Sequence, residues 1–286
     1  MLFRSLLLAS GHSARDTWSW LSAAGVELEA KPFQLGLRIE HPQELVDRAQ
    51  LGGGALAACV APSYYQLVSR VEPGSAAAFS FCMCPGGRIV ASVNEPGYLC
   101  TNGMSNSRHS SRYANAALVV TLDPRTGGSG PLAGVERQRA LERRFFEAGG
   151  SDYSAPAQRA SDFLAGRESR GELQSSYRFG CVPGRLDLLL EEPLRAALAR
   201  ALLRFERSIP GFASDQGLFV GLESRSSGPV RIPRERETLR ARGFENLYPV
   251  GEGAGWAGGI MSAAIDGARS ARALLVHGLA RAAPPG

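Results

Sequence analysis

The chain has 286 residues, of which 44% are hydrophobic and 21% charged, a composition that suits one or two globular domains. The formal net charge is +5 and rests almost entirely on arginine, since Lys31 is the only lysine. Acidic residues interrupt the arginine groups at Arg137 to Arg144 and Arg231 to Arg242, which argues against a nucleic-acid stripe, so no DNA partner is expected. The cysteines (Cys59, Cys82, Cys84, Cys100, Cys181) are odd in number and include no CxxC pair, and the histidines are dispersed. A disulfide framework and a zinc site are both poorly supported.

In chain order, Met1 to Ser5 run into an apolar segment with no turn or cap. They also back-translate into the end of a common sequencing adapter, so these residues are expected not to be native and a longer gene to have lost its front. Leu6 to Ala9 reads as a buried strand ending at Ser10-Gly11. It is too short to span a membrane and no small-residue cleavage site follows, so a cytoplasmic protein is expected. Ser13 is placed to cap a helix to about Ala24, with Gly25 past its end. Phe33 to Ile39 alternates apolar and other residues, the pattern of a half-buried strand, and Pro42 opens a helix to about Leu51. "LGGGALAACVAP" follows that helix and closes on Pro62, which makes it a loop or packed turn rather than a cofactor loop.

Strands are predicted at about Tyr64 to Val71, Ala77 to Met83, Arg88 to Val93, Tyr98 to Thr101 and Ala116 to Leu122, as a mostly antiparallel sheet. Asp123 to Pro131 reads as a surface loop. Helices are predicted over Val135 to Ala148, Ala155 to Ala165 and Glu191 to Arg207. The last of these carries Leu194, Leu198, Ala201, Leu202 and Phe205 on one face. Strands return at Leu218 to Leu222 and Val230 to Ile232. A strand over Leu247 to Val250, a glycine-rich loop, a helix from Gly259 to about Leu279 and a disordered "AAPPG" tail close the chain.

In the final unit Gly259, Ala263, Gly267 and Ala271 recur every four residues, a small-residue stripe that admits close backbone approach. The loop glycines expose backbone N–H groups, the helix N-terminus adds partial positive charge, and Glu252 offers an acceptor for a ribose or ribityl hydroxyl. A tight turn with close packing accounts for the same residues, because a glycine-rich loop alone is weak evidence.

"LYPVGEGAGWAGGIMSAAIDG" resembles the closing flavin motif of two-dinucleotide-type FAD enzymes, and "LLLASGHSARDT" resembles the matching earlier crossing. With "GLRIEHPQELVDRAQ", "FSFCMCPGGRIVAS", "TNGMSNSRHSSRYANAALVV" and "GLESRSSGPVRIPR" between them, the text from Leu6 to about Ala273 resembles a bacterial family of uncharacterised FAD-dependent proteins, described as predicted dehydrogenases. The resemblance implies an α+β inserted domain (31–243) between two pieces of a divided α/β, Rossmann-like FAD-binding domain (1–30 and 244–286). Members begin with a strand and a GxGxxG turn that hold the ADP half of FAD. That front segment is absent here, so the implied partner is the missing N-terminal half of the same flavoprotein, and the chain alone is expected to bind FAD weakly or not at all.

The resemblance nominates Ser10, Gly11, His12, Gly251, Glu252, Gly253, Gly255, Gly258, Gly259 and Ile260 for the cofactor, although His12 is equally well a polar helix-start residue. It implies an FAD-dependent oxidoreductase acting on an unnamed small molecule. A non-catalytic flavin-binding or RNA-associated protein with structural FAD, or a binding module without flavin, stays open. Cys82 and Cys84, two apart in an extended segment, are expected on one face as catalytic candidates, against the alternative of two buried apolar residues. Glu223 and Arg225 are catalytic candidates, or simply a pair, and Asn102, Arg108 and Ser226 are substrate candidates because Asn, Ser and Arg recognise carboxylate or phosphate. Arg38 and His41 are weaker candidates, equally explained by pairing with Glu40 or Glu44.

Overall fold

A computed structural model describes residues 5–52, 59–60, 62–70, 76–124 and 128–279. The expectations for Met1 to Ser5, the loop over 51–62, the loop over 123–131 and the "AAPPG" tail fall wholly or partly outside the described residues. The chain forms two compact units, one of residues 34–122 and 138–224, the other of 1–33, 123–137 and 225–286. The second therefore takes in 123–137 and 225–243 along with the two ends.

The larger unit is built on a seven-stranded sheet. From one edge its order is β10 (Cys181–Pro183), β9 (Ala155–Arg159), β11 (Leu218–Glu223), β3 (Phe33–Pro42), β8 (Tyr113–Leu122), β5 (Ala78–Cys84) and β4 (Val68–Ser69). β10 runs parallel to β9, whereas β9 with β11, β11 with β3, β8 with β5 and β5 with β4 are antiparallel. A separate antiparallel pair joins β6 (Gly87–Ala91) to β7 (Thr101–Ser105). The mostly antiparallel expectation for this stretch holds, but the strand at Tyr98 to Thr101 starts later, at Thr101.

Strand β3 departs from the half-buried expectation. Its apolar residues Leu35, Leu37 and Ile39 are buried, with His41 in the same register, and so are Arg38 and Glu40 on the alternate positions, because both faces of the central strands are covered. Gly36 is needed for this closeness: a Cβ there would lie 1.8 Å from the Leu118 carbonyl oxygen of β8. The helices α2 (Gln43–Leu51), α4 (Ala160–Ala165), α5 (Leu186–Leu189) and α6 (Glu192–Glu206) belong to this unit, together with α3 (Ala133–Ala148) from residue 138 onward. Helix α6 buries the expected face, Leu194, Leu198, Ala201, Leu202 and Phe205, with Ala197 added. The helix expected over Ala155 to Ala165 is instead strand β9 followed by α4. Backbone pairing to β10 and β11 outweighs the local helical preference of that stretch.

The smaller unit joins both ends of the chain. β1 (Leu6–Leu8) runs parallel to β13 (Leu247–Pro249), and β2 (Glu29–Ala30) runs antiparallel to β12 (Val230–Arg231). β1 is not the buried strand expected. Among the described residues it pairs on one side only, and Leu6 and Leu7 are 47% and 41% exposed. Helix α1 (Arg15–Ala23) starts after Ala14 with no side-chain cap, so Ser13 does not hold the cap position, while Gly25 follows the helix at a φ of +81° as expected. Leu21 packs with Val26, Ile232, Ala241, Leu247 and Ala254, and Trp18 packs with Val135 and Val230.

Helix α7 (Ile260–Leu279) is tied down through one carboxylate. Asp266 accepts hydrogen bonds from Arg234 Nη2 and Nη1 at 2.5 and 3.0 Å and from the Gly251 N–H at 2.8 Å. Burial alone raises the Asp266 pKa, but these donors more than offset it and hold the carboxyl below the usual range. Of the small-residue stripe, Ala263 and Gly267 face Gly251 and Val250, while Gly259 borders open space and Ala271 is exposed. Among the described residues no helix is long and apolar enough to cross a membrane.

Candidate functional site

The parallel pairing of β1 with β13 brings two turns side by side. The Val250 N–H donates to Leu8 O at 2.9 Å, and beyond that point Gly11, Gly251 and Gly255 take φ values of +76°, +76° and +78°. Gly253 lies directly on Gly11, where a Cβ would come within 2.3 Å of the Gly11 carbonyl oxygen. Gly253→Ala is therefore expected to cost about 1–3 kcal/mol by overpacking, read as a lower urea midpoint. An unchanged midpoint would mean that the turns do not touch. Trp18 secures the crossing by donating from Nε1 to Gly253 O at 2.7 Å.

At this crossing His12 Nδ1 lies 3.4 Å from Glu252 Oε2. A Cβ on Gly228 would sit 3.2 Å from the His12 Cβ, so the loop carrying Arg225 and Ser226 runs past the same place. Arg225 and Ser226 are buried, and Ser226 Oγ has no hydrogen-bond partner among the described residues. Lys31 Nζ donates to Gly228 O at 2.7 Å. Burial lowers the Lys31 pKa and the nearby Arg231 lowers it further, while Glu252 acts in the opposite direction. Arg231 and Arg234 stack on Trp256, their guanidinium carbons 4.9 and 4.5 Å from its ring centroid, and Trp256 Nε1 donates to Ile232 O at 2.9 Å.

Gly258 and Gly259 border open space, and Ile260, the first residue of α7, is exposed. Gly253 to Gly258 spells G-A-G-W-A-G between a strand and a helix, the G-x-G-x-x-G spacing. Its glycines do different jobs. Gly253 and Gly255 press on Gly11 and on the backbone at Val230 and Arg231, and Gly258 is the open one.

The other nominated residues belong to the larger unit. Cys82 and Cys84 do not share a face, contrary to expectation. Pairing of β5 with β8 slips between Phe81 and Cys84, and Cys82 has a φ of +48°, so a bulge turns Cys82 outward and Cys84 inward. Burial pushes the Cys84 thiol up, which withholds the thiolate a redox cysteine needs. Glu223 pairs with Arg38, whose Nη1 lies 3.3 Å from Glu223 Oε2 with both side chains buried. Arg38 also donates from Nε to Asn115 Oδ1 at 2.9 Å and from Nη2 to Cys82 O at 2.9 Å. The pairing of Arg38 with Glu40 or Glu44 thus gives way to Glu223, while Glu40 bonds Ser175 and Ser176. His41 bonds Phe212 O. Asn102 Oδ1 accepts the Gly103 N–H within β7, and Arg108 is exposed in the β7–β8 loop.

Residues 32–226 match the model of the family described as FAD-dependent protein, C-terminal domain-like. The chain belongs to this family. The FAD-dependent family match covers the seven-stranded unit and stops short of the Gly251 to Ile260 loop. A Clostridium beijerinckii protein described as uncharacterized is 41% identical over 274 residues, which are 95% of this chain and 51% of that protein. The chain spans about half the length of that relative.

The smaller unit's residues fit a flavin dinucleotide. Open space at Gly259 at the start of a long helix, an orphaned Ser226 hydroxyl, the cations Lys31 and Arg231, and the acceptor Glu252 match a ligand rich in phosphate and hydroxyl groups, while the Gly258 N–H is taken by Ser262 Oγ at 3.2 Å. Sequence reasoning missed Lys31 and the Arg234–Asp266 clamp. A signal for each exists, in the one lysine of an arginine-rich chain and the one acidic residue in an otherwise small and apolar stretch of helix.

Proposed function

We propose that the smaller unit supplies the ring-facing side of an FAD site in a two-dinucleotide-type, Rossmann-like flavoprotein, and that the complete protein is an FAD-dependent oxidoreductase acting on a small molecule. The observation that carries this reading is the crossing of Gly253 over Gly11, which sets His12 beside Glu252 in the loop that leads into α7. The FAD-dependent family match supports it independently. FAD, when bound, supplies the redox chemistry. The chain's own groups bind and orient: N–H groups of Gly259 and Ile260 meet an anionic edge, Glu252 beside His12 accepts a hydrogen bond from a hydroxyl, and Lys31 contributes a cation close to the loop. Ser226 and Arg225 border the same loop from their own segment. In the larger unit, the exposed Cys82 remains a catalytic candidate, Arg108 and the strand residue Asn102 remain substrate candidates, and Glu223 acts by holding Arg38.

The ADP half of FAD needs a further glycine turn, contributed by another part of a protein about twice as long. The purified chain is then expected to retain no stoichiometric flavin. FMN, which has the ring, the ribityl chain and one phosphate, is expected to bind weakly and to shift amide resonances at residues 10–12, 226–228 and 251–260. Retained stoichiometric FAD in the absorption spectrum sinks the need for a second half. Shifts absent from those segments at millimolar FMN sink the ring-side site itself.

A further inference from the structure

The larger unit has a cleft of its own beside helix α2. One lobe, of about 820 Å3, is lined by Gln43, Asp47, Arg112, Tyr113 and Gln174. A second, of about 340 Å3, is lined by Leu45, Ala49, Pro210 and Gly211. Pro42, Glu44, Arg48 and Gln216 border both, so the two lobes adjoin. These volumes are those of small-molecule sites.

The polar lobe is held in shape from behind. The buried Gln43 side chain donates to Asp47 Oδ1 at 2.8 Å and to Ser63 O at 3.0 Å, and accepts the Gly86 N–H at 2.7 Å. The Gln43 N–H donates to Arg112 O at 2.8 Å, which fixes the backbone of Arg112 against the start of α2. The Arg112 guanidinium lies over the Tyr113 ring, 4.8 Å from its centroid, and donates from Nη2 to Tyr113 OH at 2.8 Å and Gln174 Oε1 at 3.4 Å.

The charges of the lobe are unequally matched. Arg48 is paired with Glu44 at 2.5 Å, and Asp47 Oδ1 is engaged by Gln43 and by the Ser63 N–H at 2.8 Å. Arg112 lines the lobe and bonds only neutral groups among the described residues, through Nη2, with no partner on Nε or Nη1 among those residues. A planar guanidinium with two donors to spare complements a carboxylate. The second lobe presents aliphatic carbon on Leu45, Ala49 and Pro210, which suits an alkyl or aryl group.

We infer that this cleft binds a carboxylic acid with a short apolar tail, its carboxylate on Arg112 and its tail between Leu45, Ala49 and Pro210. The site is separate from the flavin reading, and its test needs no flavin. Hexanoate and hexan-1-ol share the tail and differ in the charged head. Calorimetric titration of the whole chain is expected to give hexanoate binding at least tenfold tighter than hexan-1-ol. Arg112→Gln is expected to weaken hexanoate by about 10- to 100-fold, the worth of charge-assisted hydrogen bonds, and to leave hexan-1-ol unchanged. Leu45→Asp is expected to weaken both. Arg112 is exposed, so an unchanged unfolding midpoint will show that the variant is folded. Equal binding of the two probes, an unaltered hexanoate affinity in Arg112→Gln, or no hexanoate binding overturns the inference.

Discussion

Arg38→Ala is expected to lower the free energy of unfolding by about 3–5 kcal/mol, the usual cost of removing one partner from a buried ion pair. The guanidinium is fully buried at the centre of the seven-stranded sheet. It serves Glu223 Oε2, Asn115 Oδ1 and Cys82 O together, and Gly103 lies so close that a Cβ there would meet Arg38 Nη2 at 1.8 Å. Alanine removes the Arg38 cation from a buried carboxylate and the guanidinium donors from Asn115 Oδ1 and Cys82 O, and it opens a cavity. Glu223→Gln should cost less, since an amide oxygen still accepts from Nη1. Pairing Arg38→Met with Glu223→Leu should recover part of the loss, because apolar replacement of a whole pair is tolerated better than half of it, though Asn115 and Cys82 still lose the hydrogen bonds from Arg38. Urea denaturation of the four proteins measures this. A loss below about 1 kcal/mol for Arg38→Ala would place it among solvent-exposed pairs and contradict its burial.

Acid should destabilise the larger unit through His41. Its Nε2 lies 2.9 Å from Phe212 O, its ring sits 4.3 Å from the Phe212 ring, and Nδ1 has no hydrogen-bond partner among the described residues. Burial lowers its pKa from 6.5 to about 4, against smaller opposing effects of the Phe212 carbonyl and Glu206. Between these values the unfolded chain takes up a proton that the folded chain refuses. Stability is therefore intact above about pH 6.5 and falls as the pH drops toward 4, by on the order of 3 kcal/mol in full. Glu40, whose pKa burial raises, works in the opposite sense over acidic pH. Comparison with His41→Phe separates the two: this variant keeps the stacking on Phe212, loses the hydrogen bond, and carries no titrating ring. Denaturant midpoints at neutral pH and near pH 4.5 should drop more for the parent than for His41→Phe. Parallel drops would remove His41 as the cause.

Local patterning carried much of the architecture. The apolar period of α6 named its buried face, and the small apolar strand, glycine loop and long helix at the C-terminal end appear where the composition put them. The residue types at the crossing were also legible, because glycines at Gly11 and Gly251 to Gly255 are what two touching turns need. Ala155 to Arg159 was not legible as a strand. Its neighbours β10 and β11 are remote in sequence, and ladder pairing overrode a weak helical preference. The shared face of Cys82 and Cys84 failed for a similar reason, since a bulge at one residue reverses every inference drawn from a period of two.

By itself the sequence determined most of the short segments that are strand, turn or helix, because hydrophobic period, glycine and proline act over a few residues. It also supplied the inventory of the crossing: glycine, His12 and Glu252. Which charges meet was decided only by the tertiary structure. Arg38 found Glu223, Asp266 found Arg234, and Lys31 came to rest near Glu252, through pairings that span 185, 32 and 221 residues. Charge partners carry no periodic signal, and burial strengthens a pair only after packing has excluded water around it.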